Sequence, residues 1–483
     1  MTKFSKAFWV ANSVELLERL AYYAVFIVLT IYLSNVWGFS DVESGLISGT
    51  FSALLYLLPT LVGAYADKIG FRTSIIIAFA LLTIGYFGLG IFPTMFENAG
   101  LVSYGAGTGE GMFSSFFQER GLVTFGHDTE FTGLLDSSQR WSIVPILLLI
   151  VIGGAFIKSV ISGTVARETT ESTRARGFAI FYMMVNIGAF TGKTVVDPLR
   201  KSLGDIGLVY LNYFSASMTL LALVAVYFFY QSSNVSGQGK TFSDIFKALV
   251  KVCKNGRLIA LILIVSGFWM VQQQMYATMP KYVIRLVGQE ASPGWIANVN
   301  PLVVFLLVNL VTTVMQKRSA LASMTVGMFI IPISACIMAG GSLMGNDLLF
   351  GTIHPVTFMM IVGIAFQALA ECFISPRFLE YFSLQAPKGE EGLYLGFSHL
   401  HSFVSSLLAF GISGFLLQKY CPDPKGFSTP EAYAAATENA HYIWVFFFGI
   451  GLVSAIALVI YGKITRKMDA KKAELEAEKA EMA

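Results

Sequence analysis

Twelve runs of mostly apolar residues, separated by short polar connections, leave this chain few ways to fold. A bilayer core about 30 Å thick is crossed by a helix of roughly 20 apolar residues. On that measure, spans fall near 8–33, 42–66, 72–92, 142–164, 176–197 and 208–230. A second set follows near 257–287, 295–316, 322–342, 354–380, 391–418 and 438–463. Residue types agree, with 55% apolar and 13% charged, where a soluble domain carries roughly a quarter charged. In water, 483 residues could not bury so much apolar surface, because surface grows too fast relative to volume. The expected class is an all-α membrane protein.

A polar, lysine-bearing segment divides the two sets. The expected organisation is an N-terminal six-helix bundle at 1–230, a cytoplasmic linker at 231–256, a C-terminal six-helix bundle at 257–465 and a cytoplasmic charged tail at 466–483. The linker contains Ser243-Asp-Ile-Phe-Lys-Ala-Leu-Val-Lys251-Val, which reads as a short amphipathic helix on the membrane surface. One connection, the outer loop 93–141, is long and rich in Gly, Ser, Thr and Phe. Lysines and arginines crowd the connections on the side of the termini, so both termini are expected in the cytoplasm of a cell (inner or plasma) membrane. Lys193, Arg200 and Lys201 are exceptions, read as lying in an outer connection. Lys3 and Lys6 before an apolar stretch resemble a signal peptide, but Glu15, Glu18 and Arg19 interrupt it, so a retained first helix is expected.

Charges inside such spans are expensive and mark function by default. Glu15, Glu18, Arg19 and Tyr22 share one face of the first span, with Tyr23 beside them. Glu15 and Arg19 stand one turn apart and can pair, which leaves Glu18 for a partner on another helix. Lys158 lies deep in span four and Glu371 in span ten. If the two halves face each other, the cavity between them carries Arg19 and Lys158 on one wall and Glu371 on the other. A solute with a carboxylate at one end and an ammonium at the other matches that cavity. The alternative is a buried ion cluster that only fixes helix packing. A glutamate that exchanges a cationic partner for water or solute also changes its hold on a proton, so the same acids suit proton coupling.

Other signals carry less. Four dispersed cysteines make neither a disulfide framework nor a zinc site. A net charge of +3 does not point to nucleic acid. His399 and His401 lie on different helical faces without a third ligand, so they read as cavity or packing residues and no metal is expected. Gly107-Thr-Gly-Glu-Gly111 lacks the ending of a phosphate loop. No nucleophile–base pair is placed for catalysis, so the chain does not read as an enzyme.

With these residues in view, the chain resembles the proton-coupled oligopeptide transporter family of the major facilitator superfamily. Glu15-Leu-Leu-Glu18-Arg19-Leu-Ala-Tyr22-Tyr23 is similar to that family's first-helix signature, and Gly177-Phe-Ala-Ile-Phe-Tyr182-Met-Met-Val-Asn186-Ile-Gly188 to its helix-five signature. Gly63-Ala-Tyr-Ala-Asp67-Lys-Ile-Gly70-Phe-Arg72 resembles the superfamily's loop between helices two and three. Phe268-Trp269, Asn300-Pro301 and Glu371-Cys-Phe-Ile-Ser-Pro376 also fall where the family has such residues.

The resemblance implies a twelve-helix major facilitator fold working by alternating access, with protons as coupling ion and no other cofactor. It implies proton coupling by Glu15, Glu18 and Lys158. Substrate binding is assigned to Arg19, Tyr22, Tyr23, Lys158, Asn186, Gln273, Asn300 and Glu371, and a cytoplasmic latch to Asp67 and Arg72. Expected partners are small peptides or peptide-like solutes, protons and the lipid bilayer, with no nucleic acid and a monomeric chain. Alternatives are the same fold carrying another small solute, or a solute sensor that does not transport. The chain departs from the pattern at Phe26 and Gln273, where family members often carry a gate salt bridge, and at Ser159, where proline is usual.

Overall fold

The computed structural model describes residues 4–102, 134, 138–231, 242–345, 352–385 and 397–481. Helix α1 runs Lys6–Phe26 and continues, after a bend of 48°, as Leu29–Asn35. The first half is completed by α2 (Asp41–Ile69), α3 (Phe71–Asn98), α4 (Ile143–Arg167), α5 (Glu171–Leu203) and α6 (Asp205–Phe229). A linker helix, Phe242–Lys254, precedes the second half. There α7 is broken into Gly256–Gln272, Gln274–Ala277 and Met279–Val287, and α8 into Pro293–Ala297 and Val299–Met315. The remaining helices are α9 (Ala320–Gly340), α10 (Pro355–Leu384), α11 (Leu400–Tyr420) and α12 (Tyr442–Glu481).

Among the described residues, eleven helices are long and apolar enough to cross a membrane, and twelve if the bent pair of α1 counts as one span. This is a multi-pass membrane protein. Apolar side chains on the rim confirm what surrounds it: Leu306 is 62% exposed, Phe305 63% and Val453 67%. In water such faces would be a liability; in lipid they are the normal outer surface.

Local chemistry starts and stops these helices. Ser40 caps α2 and exchanges hydrogen bonds with Glu43, a capping box with Asp41 and Glu43 beside the positive end of the helix. Within the first half, α1 packs on α5 and α6, and α3 on α4 and α6. The α1–α5 contact depends on Gly188, where a Cβ would stand 2.6 Å from the Leu16 carbonyl oxygen and 2.8 Å from Arg19 Cβ. The helix-five motif thereby sets the position of Arg19. The halves meet most closely where α2 lies on α11. A Cβ at Gly49 would sit 3.0 Å from Phe410 Cβ and from the Ser406 carbonyl oxygen, and Ser52 Oγ lies 3.0 Å from Ser406 Oγ.

Several boundaries differ from the sequence expectation. The first span is bent rather than straight. Helix α3 reaches Asn98, and residues 103–133 and 135–137 of the long connection lie outside the described residues. Helix α5 extends to Leu203, so Lys193 and Arg200 belong to the helix and not to a connection; they are 1% and 5% exposed. The charged tail has no break before it, because α12 runs unbroken to Glu481.

Candidate functional site

The charged stripe of α1 faces inward. Glu15, Glu18 and Arg19 are all buried, and Arg19 Nε lies 2.9 Å from Glu15 Oε1 and 2.6 Å from Glu18 Oε2. Glu18 therefore does not wait for a partner on another helix, as expected from spacing alone. Both carboxylates share one guanidinium. The Arg19 guanidinium carbon also stands 5.7 Å from the centre of the Tyr22 ring.

Lys158 on α4 approaches the same region from the side. Its Nζ donates to the Leu55 carbonyl at 3.2 Å and sits 4.2 Å over the Tyr56 ring, both on α2. It interacts electrostatically with Glu15, Glu18 and Arg19. Thus α1, α2 and α4 gather Arg19 and Lys158 around one cluster of acids and tyrosines.

The opposite wall comes from the second half. Glu371 Oε2 accepts a hydrogen bond from Gln272 Nε2 at 2.9 Å and another from Asn300 Nδ2 at 3.2 Å. Tyr23 and Tyr56, both from the first half, stand within the electrostatic field of Arg19 and of Glu371. They span the space between a cationic and an anionic wall. Half-buried Asn186 donates from Nδ2 to the Tyr182 carbonyl at 2.8 Å.

Two expected residues fall differently. Gln273 is buried, and it is its neighbour Gln272 that holds Glu371. Arg72 donates to the Tyr227 carbonyl on α6 at 2.8 Å, while the side chain of Asp67 lies outside the described residues.

Phe26, in place of a charge, does something specific. Its ring centre lies 5.0 Å from Tyr22, 4.9 Å from Tyr276, 5.9 Å from Phe410 and 6.3 Å from Phe51. Aromatic rings from α1, α2, α7 and α11 thereby join the two halves across the end of the bundle remote from the termini, the distal end. Such contacts hold a closure without an ion pair.

Ion pairing has moved further out on the same side. Asp41 accepts from Lys281 Nζ at 2.7 Å and from both terminal nitrogens of Arg285 at 2.8 and 2.9 Å. Lys281 also donates to Ser34 and Ser44, and Arg285 to the Cys421 carbonyl. A third contact clasps α5 to α8. Trp295 N donates to Asp197 Oδ2 at 3.0 Å, and Asn298 Nδ2 to Thr194 Oγ1 at 2.9 Å. The distal end is shut in this structure.

Sequence reasoning passed over Asp41, Lys281, Arg285, Gln272 and the burial of Lys193. A signal existed for two of them: Lys281 and Arg285 are four apart, on one helical face at the end of a span. His401 stacks on Trp269, with ring centres 5.3 Å apart and an angle of 10°, as a packing residue does. Among the described residues no group of His, Cys, Asp or Glu is arranged to hold a metal ion.

Among the described residues, eleven or twelve candidate spans form two facing halves with opposed charges between them. The sequence model of the POT family matches residues 232–421. Dipeptide and tripeptide permease B of Photorhabdus asymbiotica is 24% identical, covering 95% of this chain and 96% of that protein. The permease of the same description from Aeromonas hydrophila is 25% identical, covering 94% and 91%. Among solved structures, the POT family transporter PepTSo superposes with a TM-score of 0.67 at 17% identity, covering 96% of this chain and 99% of that one. A structure described as giving insight into substrate recognition in proton dependent oligopeptide transporters superposes at 0.66 with 19% identity, covering 96% and 99%. The chain is thus similar to the POT family model over residues 232–421 and, at 24% and 25% identity, to dipeptide and tripeptide permeases over nearly its whole length.

Proposed function

We propose that this protein is a proton-coupled symporter that imports di- and tripeptides or closely related zwitterions by alternating access. Both termini lie in the cytoplasm and the closed distal end faces outward, in keeping with the lysines of the linker helix on the side of the termini. The observation that carries the reading is the charge arrangement: Arg19 and Lys158 from one half, Glu371 from the other, with Tyr23 and Tyr56 in the field between.

In this reading the peptide carboxylate binds Arg19 and Lys158, and its ammonium binds Glu371. Tyr22, Tyr23, Asn186 and Asn300 line the space between. Gln273 packs the wall beside Tyr56, and Arg72 helps hold the cytoplasmic end. Charge balance supplies the coupling. Glu15 and Glu18 against Arg19 and Lys158 sum to zero, so an arriving carboxylate leaves an excess negative charge in a low-dielectric site. A proton taken up by one glutamate cancels it and loosens that glutamate's hold on Arg19. No cofactor besides the proton is required, and a single chain holds the whole site.

The test is competition for binding to purified protein. Ala-Ala is expected to displace labelled peptide at least tenfold better than N-acetyl-Ala-Ala-amide, which lacks both charges. Equal displacement by the blocked peptide, or none by either, would move the cargo to a different class of solute.

A further inference from the structure

Lys193 belongs to none of the roles above, yet it is the most thoroughly buried cation described, at 1% exposure. Its Nζ donates to the Ala297 carbonyl on α8 at 3.3 Å and lies 5.3 Å from the Tyr23 ring and 5.8 Å from the Tyr276 ring. An ammonium has three donors, and among the described residues this one has a single hydrogen bond and no carboxylate at ion-pair distance. A buried charge held so sparsely within a membrane bundle is retained for a function.

The geometry connects it to the amino pole. Ala297, which receives Lys193, ends the first piece of α8 three residues before Asn300, whose Nδ2 donates to Glu371 Oε2 at 3.2 Å. Lys193 and Glu371 thus converge on the two sides of the break in α8 from opposite halves, and they attract each other electrostatically. The turn that carries Lys193 also carries Thr194 and Asp197, which clasp α8 through Asn298 and Trp295.

We infer that Lys193 is a built-in stand-in for the substrate's ammonium. While the cavity is empty, it supplies the positive charge that Glu371 requires and helps tie α5 to α8. An arriving peptide ammonium takes over Glu371, and the pull of Glu371 on Lys193 falls. By reciprocity, the attraction between Lys193 and Glu371 reduces the affinity of Glu371 for that ammonium. Lys193 is therefore a positioning residue that links occupancy of the amino pole to the distal closure. The inference rests on the peptide reading above.

Its signature is selective. Removing the charge should tighten binding of ligands that bear an ammonium and leave those without one unaffected. The experiment measures binding of Ala-Ala and of N-propionyl-alanine, which is Ala-Ala without its amino group, to the protein in lipid nanodiscs. Lys193→Gln and Lys193→Met should each bind Ala-Ala on the order of fivefold more tightly than the wild type, with N-propionyl-alanine changed by less than about twofold. Lys193→Arg should restore the wild-type ratio. Equal changes for both ligands, or no change for either, would overturn the inference while leaving peptide binding in place. Two substitutions guard against one failing to fold, and a melting curve without ligand identifies that case. A wild type that binds neither ligand would overturn the peptide reading itself, and this inference with it.

Discussion

Replacing Lys158 by alanine is expected to abolish transport and to weaken peptide binding by roughly 30- to 700-fold, about 2–4 kcal/mol. The size follows from what is lost. In the proposed complex Lys158 faces the peptide carboxylate at a site already crowded by Glu15 and Glu18, with which it interacts in the empty protein. Truncation leaves the carboxylate beside two acids with only Arg19 to hold it, and Arg19 is shared between those acids at 2.9 and 2.6 Å. Competition binding and the melting temperature without peptide should be measured together. Lost binding with a melting temperature within a few degrees of wild type fits the proposed role. Wild-type affinity in the variant would remove Lys158 from the site.

The second large effect concerns Glu18. Glu18→Gln keeps the shape of the side chain and removes its capacity to exchange a proton. Accumulation of peptide against a gradient should fall at least tenfold, while exchange of labelled for unlabelled peptide across the membrane continues. The sign of the pH dependence is fixed by linkage. If proton uptake loosens Glu18 from Arg19 and peptide needs Arg19, then proton and peptide each favour the binding of the other. Wild-type affinity should rise as pH falls, and the variant should respond less. A Glu18→Gln protein that still concentrates peptide, with an unchanged pH response, would transfer the role to another acid. Glu15, on the same guanidinium, is the first to examine.

Most of the architecture was legible because lipid imposes a single ruler. Runs of apolar residues long enough to cross it announce themselves, and eleven or twelve such spans are present among the described residues. The principal charged residues were legible for the complementary reason: Glu15, Glu18, Arg19, Lys158 and Glu371 interrupt apolar helices where a charge is costly. What escaped depended on contacts between helices. The pairing rule for residues one turn apart matched Arg19 with Glu15 and left Glu18 over, whereas the folded guanidinium reaches both. Lys193 was read with the outer connection although it falls four residues inside the span drawn at 176–197. The helix runs to Leu203, and Lys193 is covered by Ala297 and Tyr276 of the other half.

The breaks in helices divide in the same way. Pro280 marks the last piece of α7, since proline removes a backbone donor. The bend in α1 falls at Phe26-Ile-Val28, with neither proline nor glycine to announce it. Absent charges at Phe26 and Gln273 were visible in the sequence, but the aromatic closure that takes their place draws rings from four helices. No single segment encodes that. Nor does a sequence report which end of a transporter is shut, because open and closed states share it and differ by packing between halves. The Asp41–Lys281–Arg285 cluster and the α5–α8 clasp describe one of those states.

The central claim is that a proton gradient drives zwitterionic peptides through this site. It is tested most directly by uptake of labelled Ala-Ala into proteoliposomes, with and without an inward proton gradient. The account predicts accumulation above the external concentration only when the gradient is present, suppressed by unlabelled di- and tripeptides. Uptake that is indifferent to the gradient, or no uptake of any peptide, would contradict it.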